Sequence, residues 1–200
     1  MSTVSTTADD ILHCARALII AGGYNGFSYA DISGVVGIRK PSIHHHFPTK
    51  ADLVRTLVAR YREEARVGLA QAADYHWDPV DQLRAYTGFW AQCIGDGTIP
   101  FCVCALLATE MPVLPVEVAA EVRAHFRMLS AWLADALRRG AEQGVLMLSG
   151  TAEAEAEAFL ATVHGAMLSA RAYGDPAIFG VITQPLIDRL VVERPATPRQ

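Results

Sequence analysis

Lysine is almost missing from this chain of 200 residues: it occurs only as Lys40 and Lys50, and the other basic side chains are all arginine. A lysine-rich tail that coats nucleic acid indiscriminately is thereby excluded, and the net charge of -4 points the same way. Cysteine is scarce too. Cys14, Cys93, Cys102 and Cys104 make no disulfide scaffold in a chain of this length, and a reducing compartment would keep them as thiols. No apolar run approaches the roughly eighteen residues of a membrane-spanning helix, and the N-terminal STVSTT lacks the basic and apolar parts of a secretory signal. A soluble, cytoplasmic protein with no membrane partner is expected. The chain also has no glycine-rich phosphate loop, no G-x-S-x-G, no zinc-hydrolase motif and no carboxylate pair at a diagnostic spacing. Catalysis therefore finds little support, and no motif calls for a cofactor.

What is present is a hydrophobic content of 52%, enough for a substantial core in one compact unit or in a small head and a larger body. Charge is unevenly spread. Residues 1–50 carry four Lys/Arg, three Asp/Glu and four of the seven histidines, while residues 51–200 carry thirteen Lys/Arg against eighteen Asp/Glu. The acidic part is the body, and both lysines flank one short segment near the N-terminus.

That segment, SYADISGVVGIRKPSIHHHF over 28–47, reads as two short helices joined by a glycine turn. Ser28 and Asp31 form a capping box for the first helix, whose Ile32 and Val35 or Val36 face inward. Gly37 supplies the turn and Ile38 fills the angle between the helices. Pro41 falls in the first turn of the second helix, where its fixed φ helps and its missing N–H costs nothing. Lys40 and Ser42 lie where orphan backbone N–H groups favour a phosphate. Pro48 stops the helix, and Thr49 with Asp52 caps a long third one. This is the shape with which small bacterial regulators enter DNA.

The stretch Gly37-Ile38-Arg39-Lys40-Pro41-Ser42-Ile43-His44-His45-His46-Phe47-Pro48-Thr49-Lys50, with Asp31-Ile32 upstream and Leu53 downstream, resembles the TetR family of transcriptional repressors. The resemblance implies an all-α homodimer: a helix-turn-helix DNA-binding head over residues 1–49, and a ligand-binding and dimerisation bundle over 50–200. It makes the second short helix the recognition helix. The family usually has tyrosine, a phosphate contact, where this chain has His44; an imidazole there would act in a pH-dependent way. Arg39, Lys40, Ser42, His44, His45 and Lys50 are the candidate DNA contacts, and their division between bases and phosphates stays open. Three consecutive histidines point about 100° apart on a helix and cannot converge on one metal ion.

Helical periodicity fills the rest. Thr7 with Asp10 opens a first helix that Gly22-Gly23 ends. Further helices are expected from Lys50 to about Ala73, from Asp78-Pro79 to the Gly95-Asp96-Gly97 break, over Phe101 to Met111, and over Val116 to Gln143 with Gly144 as its stop. The last two run over Thr151 to Tyr173 and Pro176 to Val192, followed by a frayed, proline-containing tail. Phe159, Val163, Ala166, Met167 and Ala170 form one apolar band on them, and Ile178, Ile182, Leu186, Ile187 and Leu190 another. Both a core and a partner are served, so the homodimer is expected to close through these two helices, as the family's does.

In FCVCALLATEM the C-x-C pair places Cys102 and Cys104 on the opening turn of a helix, which lowers a thiol's pKa, with Cys104 pointing away. Small apolar core residues are the competing reading. GTIPFCVCALLATEM is similar to a segment of an electrophile-sensing branch of the family, which implies Cys102 as a redox sensor. Zinc held by Cys102, Cys104 and His125 lacks a fourth ligand, so no metal is expected. A pocket for a small apolar or aromatic inducer is favoured, walled by Phe89, Trp90, Phe101, Met111, Met128, Trp132 and Met167 and anchored by Tyr86, His125 and His164. The expected function is a repressor that binds a palindromic double-stranded DNA operator and leaves it when an inducer binds or a thiol is modified. Two rivals stand beside it: an all-α enzyme with Cys102 as nucleophile and His125 as base, and a ligand-binding protein whose head no longer reads DNA.

Overall fold

The computed structural model describes residues 6–192. The N-terminal residues 1–5 and the tail from 193, where the frayed end is expected, lie outside the described residues. Among the described residues the regular elements are helical: α1 (Thr7–Gly22), α2 (Tyr29–Val36), α3 (Lys40–His46), α4 (Lys50–Tyr75), α5 (Pro79–Asp96), α6 (Val103–Thr109), a 3-10 turn (Met111–Val113), α7 (Val116–Glu142), α8 (Ala152–Tyr173) and α9 (Ala177–Asp188).

The chain packs as two compact units. One comprises the residues up to Arg66 together with Phe101–Arg127, and the other Val67–Pro100 with the residues from Met128 onward. In the first, α1 packs on α2, α3 and α6, and Ile11, Ile19, Ile32, Ile43 and Leu53 are fully buried. In the second, α9 packs on α8 and α5, and Leu83, Leu137, Val163 and Phe179 are fully buried. Each such side chain contributes about 1.5–3 kcal/mol relative to an exposed one.

Local chemistry sets most of the boundaries. Thr49 and Asp52 form the expected capping box of α4, and Asp78 caps α5 through the Val80 N–H at 2.8 Å. Gly23, Gly37, Gly97, Gly144 and Gly174 close helices with φ between +64 and +75, a region that costs other residues energy. Four expectations need correction. α1 is capped by Thr6 and Asp9 rather than Thr7 and Asp10, because threonines at 6 and 7 and aspartates at 9 and 10 offer both registers and Arg60 reaches Asp9 at 2.6 Å. The helix expected from Phe101 starts only at Val103, since Cys102 is an extended cap residue, and it yields to the 3-10 turn after Glu110. α9 ends at Asp188 rather than Val192. Pro185 removes one of its N–H donors, and Met147 N–H donates to Leu190 O at 2.8 Å while Val192 N–H donates to Val145 O at 3.0 Å, drawing the chain end into an antiparallel bridge. Finally, Phe159, Val163, Ala166, Met167 and Ala170 are all buried within the second unit, so that band is core. The apolar side chains that α8 and α9 leave open are Leu168 and Val181, at 60% and 66% exposure, and Tyr173 at the end of α8.

Candidate functional site

The reading pair is built as its sequence dictates. Ser28 accepts from the Ala30 N–H at 3.2 Å, and the Asp31 carboxylate accepts from the Ser28 N–H and hydroxyl, both at 2.7 Å. These bonds hold the Asp31 carboxyl below the usual carboxylate range. Gly37 turns the chain at φ 75, ψ 23, and the Ser33 hydroxyl donates to Ile38 O at 2.6 Å across the turn. Ile38 is half-buried and Ile43 fully so, which anchors α3 from below.

Above that anchor the polar residues of α3 face solvent. Arg39 is its N-cap residue and makes no side-chain cap bond; Arg39, Lys40, His44, His45 and His46 are exposed and Ser42 is half-buried. Neither Arg39 nor Lys40 has an acidic partner within ion-pair distance among the described residues. His44 is oriented: its Nδ1 lies 3.1 Å from Pro48 O and its ring centroid 4.7 Å from that of Tyr29. Tyr29 in turn donates its hydroxyl to Phe47 O at 2.8 Å, and burial holds its phenol up at about 12. Sequence reasoning missed Tyr29, although a tyrosine directly after the Ser28 cap was the available signal. Lys50 is in a different position from the other candidates. It is half-buried, its amine donates to Phe27 O and sits over the Phe27 and Tyr24 rings at 4.1 and 5.0 Å, and burial pushes its pKa down.

The sensor candidates divide between the two units. In the second, Tyr86 and Trp90 of α5 are buried, and the Tyr86 ring lies 5.9 Å from Trp132 of α7 and 6.5 Å from Phe159 of α8. Met128, Trp132 and His164 are half-buried and Met167 is buried, whereas Phe89 is 51% exposed and makes a poor wall. In the first unit Phe101, Cys102 and His125 are buried and Met111 is half-buried. Here the structure gathers what the sequence separated. The Tyr61 ring lies 5.2 Å from that of His125 and 4.7 Å from the Arg16 guanidinium, and its hydroxyl is within hydrogen-bond reach of Cys102. Cys104 does not point away: it too is within hydrogen-bond reach of Cys102. Both thiols are fully buried, and burial pushes the Cys104 thiol and the Tyr61 phenol well up, so the helix start does not activate Cys104. Among the described residues the buried His125 Nδ1 has no hydrogen-bond partner. No group of three or more metal-ligating side chains is found among the described residues.

A cleft of about 760 Å³ opens on the first unit, lined by α1, the end of α2 and α4, with Leu12, Cys14, Ala17, Val36, Leu57 and Tyr61 among its walls. None of the expected inducer contacts lines it.

Two family models match the chain: bacterial regulatory proteins of the tetR family over residues 11–57, and the tetracyclin repressor-like C-terminal domain over residues 79–185. A TetR-family transcriptional regulator from Agrobacterium tumefaciens is 65% identical, superposes with a TM-score of 0.91, and matches over 92% of this chain and 97% of that one. The chain belongs to the TetR family. A TetR regulator from Legionella pneumophila has the same fold at 23% identity, with a TM-score of 0.84 over 94% of this chain and 100% of that one. So does a protein from Saccharomonospora viridis solved in complex with choline, at 20% identity and a TM-score of 0.78 over 94% and 98% of the two chains. No curated protein sequence matches. This TetR-family member is thus an all-α transcription regulator with an N-terminal helix-turn-helix DNA-binding domain and a C-terminal ligand-binding domain. Regulators of this family are not enzymes, which closes the reading of Cys102 as a nucleophile. Among the described residues no helix is long and apolar enough to cross a membrane.

Proposed function

We propose that the chain is a cytoplasmic, ligand-responsive repressor whose head, residues 1–49, reads a palindromic operator as one half of a homodimer, with sensing and dimerisation in residues 50–200. The observation that carries this reading is the pair Arg39 and Lys40, exposed and without ion pairs among the described residues, where the capped turn delivers the chain into α3. Ser42, His44 and His45 complete the contact surface, with His44 held by Pro48 and Tyr29. Lys50 belongs to the head's own packing. The test is titration of the protein's own upstream DNA with parent and Arg39→Ala/Lys40→Ala protein across a range of salt. Salt-dependent binding that the double variant loses supports the reading; parent protein with no preference for that DNA over a scrambled fragment overturns it.

For the signal, burial of both thiols favours reversible binding of a small apolar or aromatic inducer over modification of Cys102. The rings of Tyr86, Trp132 and Phe159, carried by three helices of the second unit, supply the aromatic surface for it. A bound inducer would favour the arrangement in which the two heads no longer match successive major grooves. The homodimer is assigned to the open face of α8 and α9, where Leu168 and Val181 lack cover among the described residues. Leu168→Glu with Val181→Glu should yield folded monomer in sedimentation, whereas a fully dimeric double variant would remove this interface.

A further inference from the structure

The 23–27 loop between α1 and α2 is gripped from two sides, and one of the grips comes from far along the chain. Glu110, at the break between α6 and the 3-10 turn, accepts the Tyr24 N–H on Oε1 at 2.8 Å across 86 residues of sequence. Gly23 is shaped around that carboxylate: it sits at φ +75, and a Cβ there would lie 2.2 Å from Glu110 Oε1. On the other side the Lys50 amine, at the start of α4, holds Phe27 O and covers the Tyr24 and Phe27 rings. Glu110 and Lys50 attract one another across the loop. The loop runs straight into Ser28, the cap that sets the direction of α2 and with it the reading pair.

Glu110 is also chemically out of place in its surroundings. From Gly97 to Val116 it is the one charged side chain, and the helix that ends beside it, α6, buries Val103, Cys104 and Leu107 completely and packs on α1. Closing a turn between two short helices needs no carboxylate. A half-buried charge that spends an oxygen on a backbone N–H of the head ties the position of α6 to that of the loop.

We propose that Glu110 is a positioning residue that couples α6 to the DNA-reading pair by holding the backbone at Tyr24. The consequence for DNA rests on the repressor reading; the coupling itself does not. Residue-resolved hydrogen exchange on the full chain tests it, with Leu107→Val as a mild loosening of α6. In the parent background L107V should speed exchange of the Tyr24 amide at least about fivefold. Glu110→Ala alone should speed it at least about tenfold, and adding L107V should then change nothing more, which is the signature of a shared link. Glu110→Gln keeps an acceptor oxygen of the same reach and should recover most of the protection, as a general loss of packing would not. Undiminished transmission from L107V to Tyr24 in E110A overturns the proposal, and so does E110Q exchanging as fast as E110A. A parallel titration of upstream DNA should show E110A shifted in affinity by about threefold or more and E110Q near the parent. Parent protein that fails to bind that DNA would sink the repressor reading while the exchange result still decides the coupling.

Discussion

At the start of α3 Arg39 and Lys40 stand in solvent, as do His44, His45 and His46 in its last turn, above a helix anchored by Ile43, whereas beside Tyr61 the thiols of Cys102 and Cys104 are sealed from water. Both places carry side chains capable of chemistry, and both lie at the beginning of a seven-residue helix. The difference is what packs against each. α3 has only its inner face covered, so its polar side chains remain available to an outside partner. The start of α6 is enclosed by apolar neighbours and by Tyr61, and there the cost of placing a charge in a dry site outweighs the helix dipole that would stabilise a thiolate. A helix start thus makes a functional site only where water or a ligand can reach it.

The sharpest way to break this comparison is alkylation. Iodoacetamide should modify Cys102 and Cys104 in the native protein at least about a hundredfold more slowly than in the urea-unfolded chain, since access requires opening of the core. Mass spectrometry of timed samples reads this, and rapid selective labelling of Cys102 would return the thiol to the list of sensors. Next in size is stability. Cys104→Ser, which puts a hydroxyl where a thiol is buried, should lower the unfolding free energy by about 1–3 kcal/mol, while Lys40→Ala should leave it within about 0.5 kcal/mol. Urea denaturation of the two variants side by side checks both, and equal losses would mean the two sites differ less than their burial indicates.

On DNA the order reverses. Lys40→Ala should weaken binding to related sites almost uniformly and shallow the salt slope by about one, as loss of a phosphate contact does, while a folded Cys104→Ser protein binds like the parent. The smallest effect concerns acid. Bonds from the Thr6 hydroxyl and Arg60 hold the Asp9 carboxyl down at about 2, below its value in the unfolded chain. Its contribution to stability is therefore fully present above about pH 4 and is lost as pH falls towards 2. Asp9→Asn should flatten that part of the stability profile while leaving the profile from pH 5 to 7 unchanged in shape, as chemical denaturation at each pH would show.

Residues whose roles depend on near neighbours were legible from the chain alone. Ser28 and Asp31, Gly37, Pro41, and Thr49 with Asp52 each act within three or four positions, so their spacing determined the helix-turn-helix and its exposed basic residues, and with them the family and the broad function. Where two equivalent registers were available, as at Thr6 and Thr7, a partner 51 residues away, Arg60, chose between them. The tertiary structure alone decided which apolar face of α8 is core, because five residues at helical spacing look the same whether a neighbouring helix or a second molecule covers them. It alone brought Cys104 and Tyr61 to Cys102, turned Lys50 inward, and put the Glu110 carboxylate on the Tyr24 backbone. Apart from the two cysteines, which share one helix start, these contacts span 23 to 86 residues of sequence. Apolar periodicity marks the face that a helix buries, but which remote helix covers that face depends on how the helices stack, and that leaves no trace in either partner's sequence.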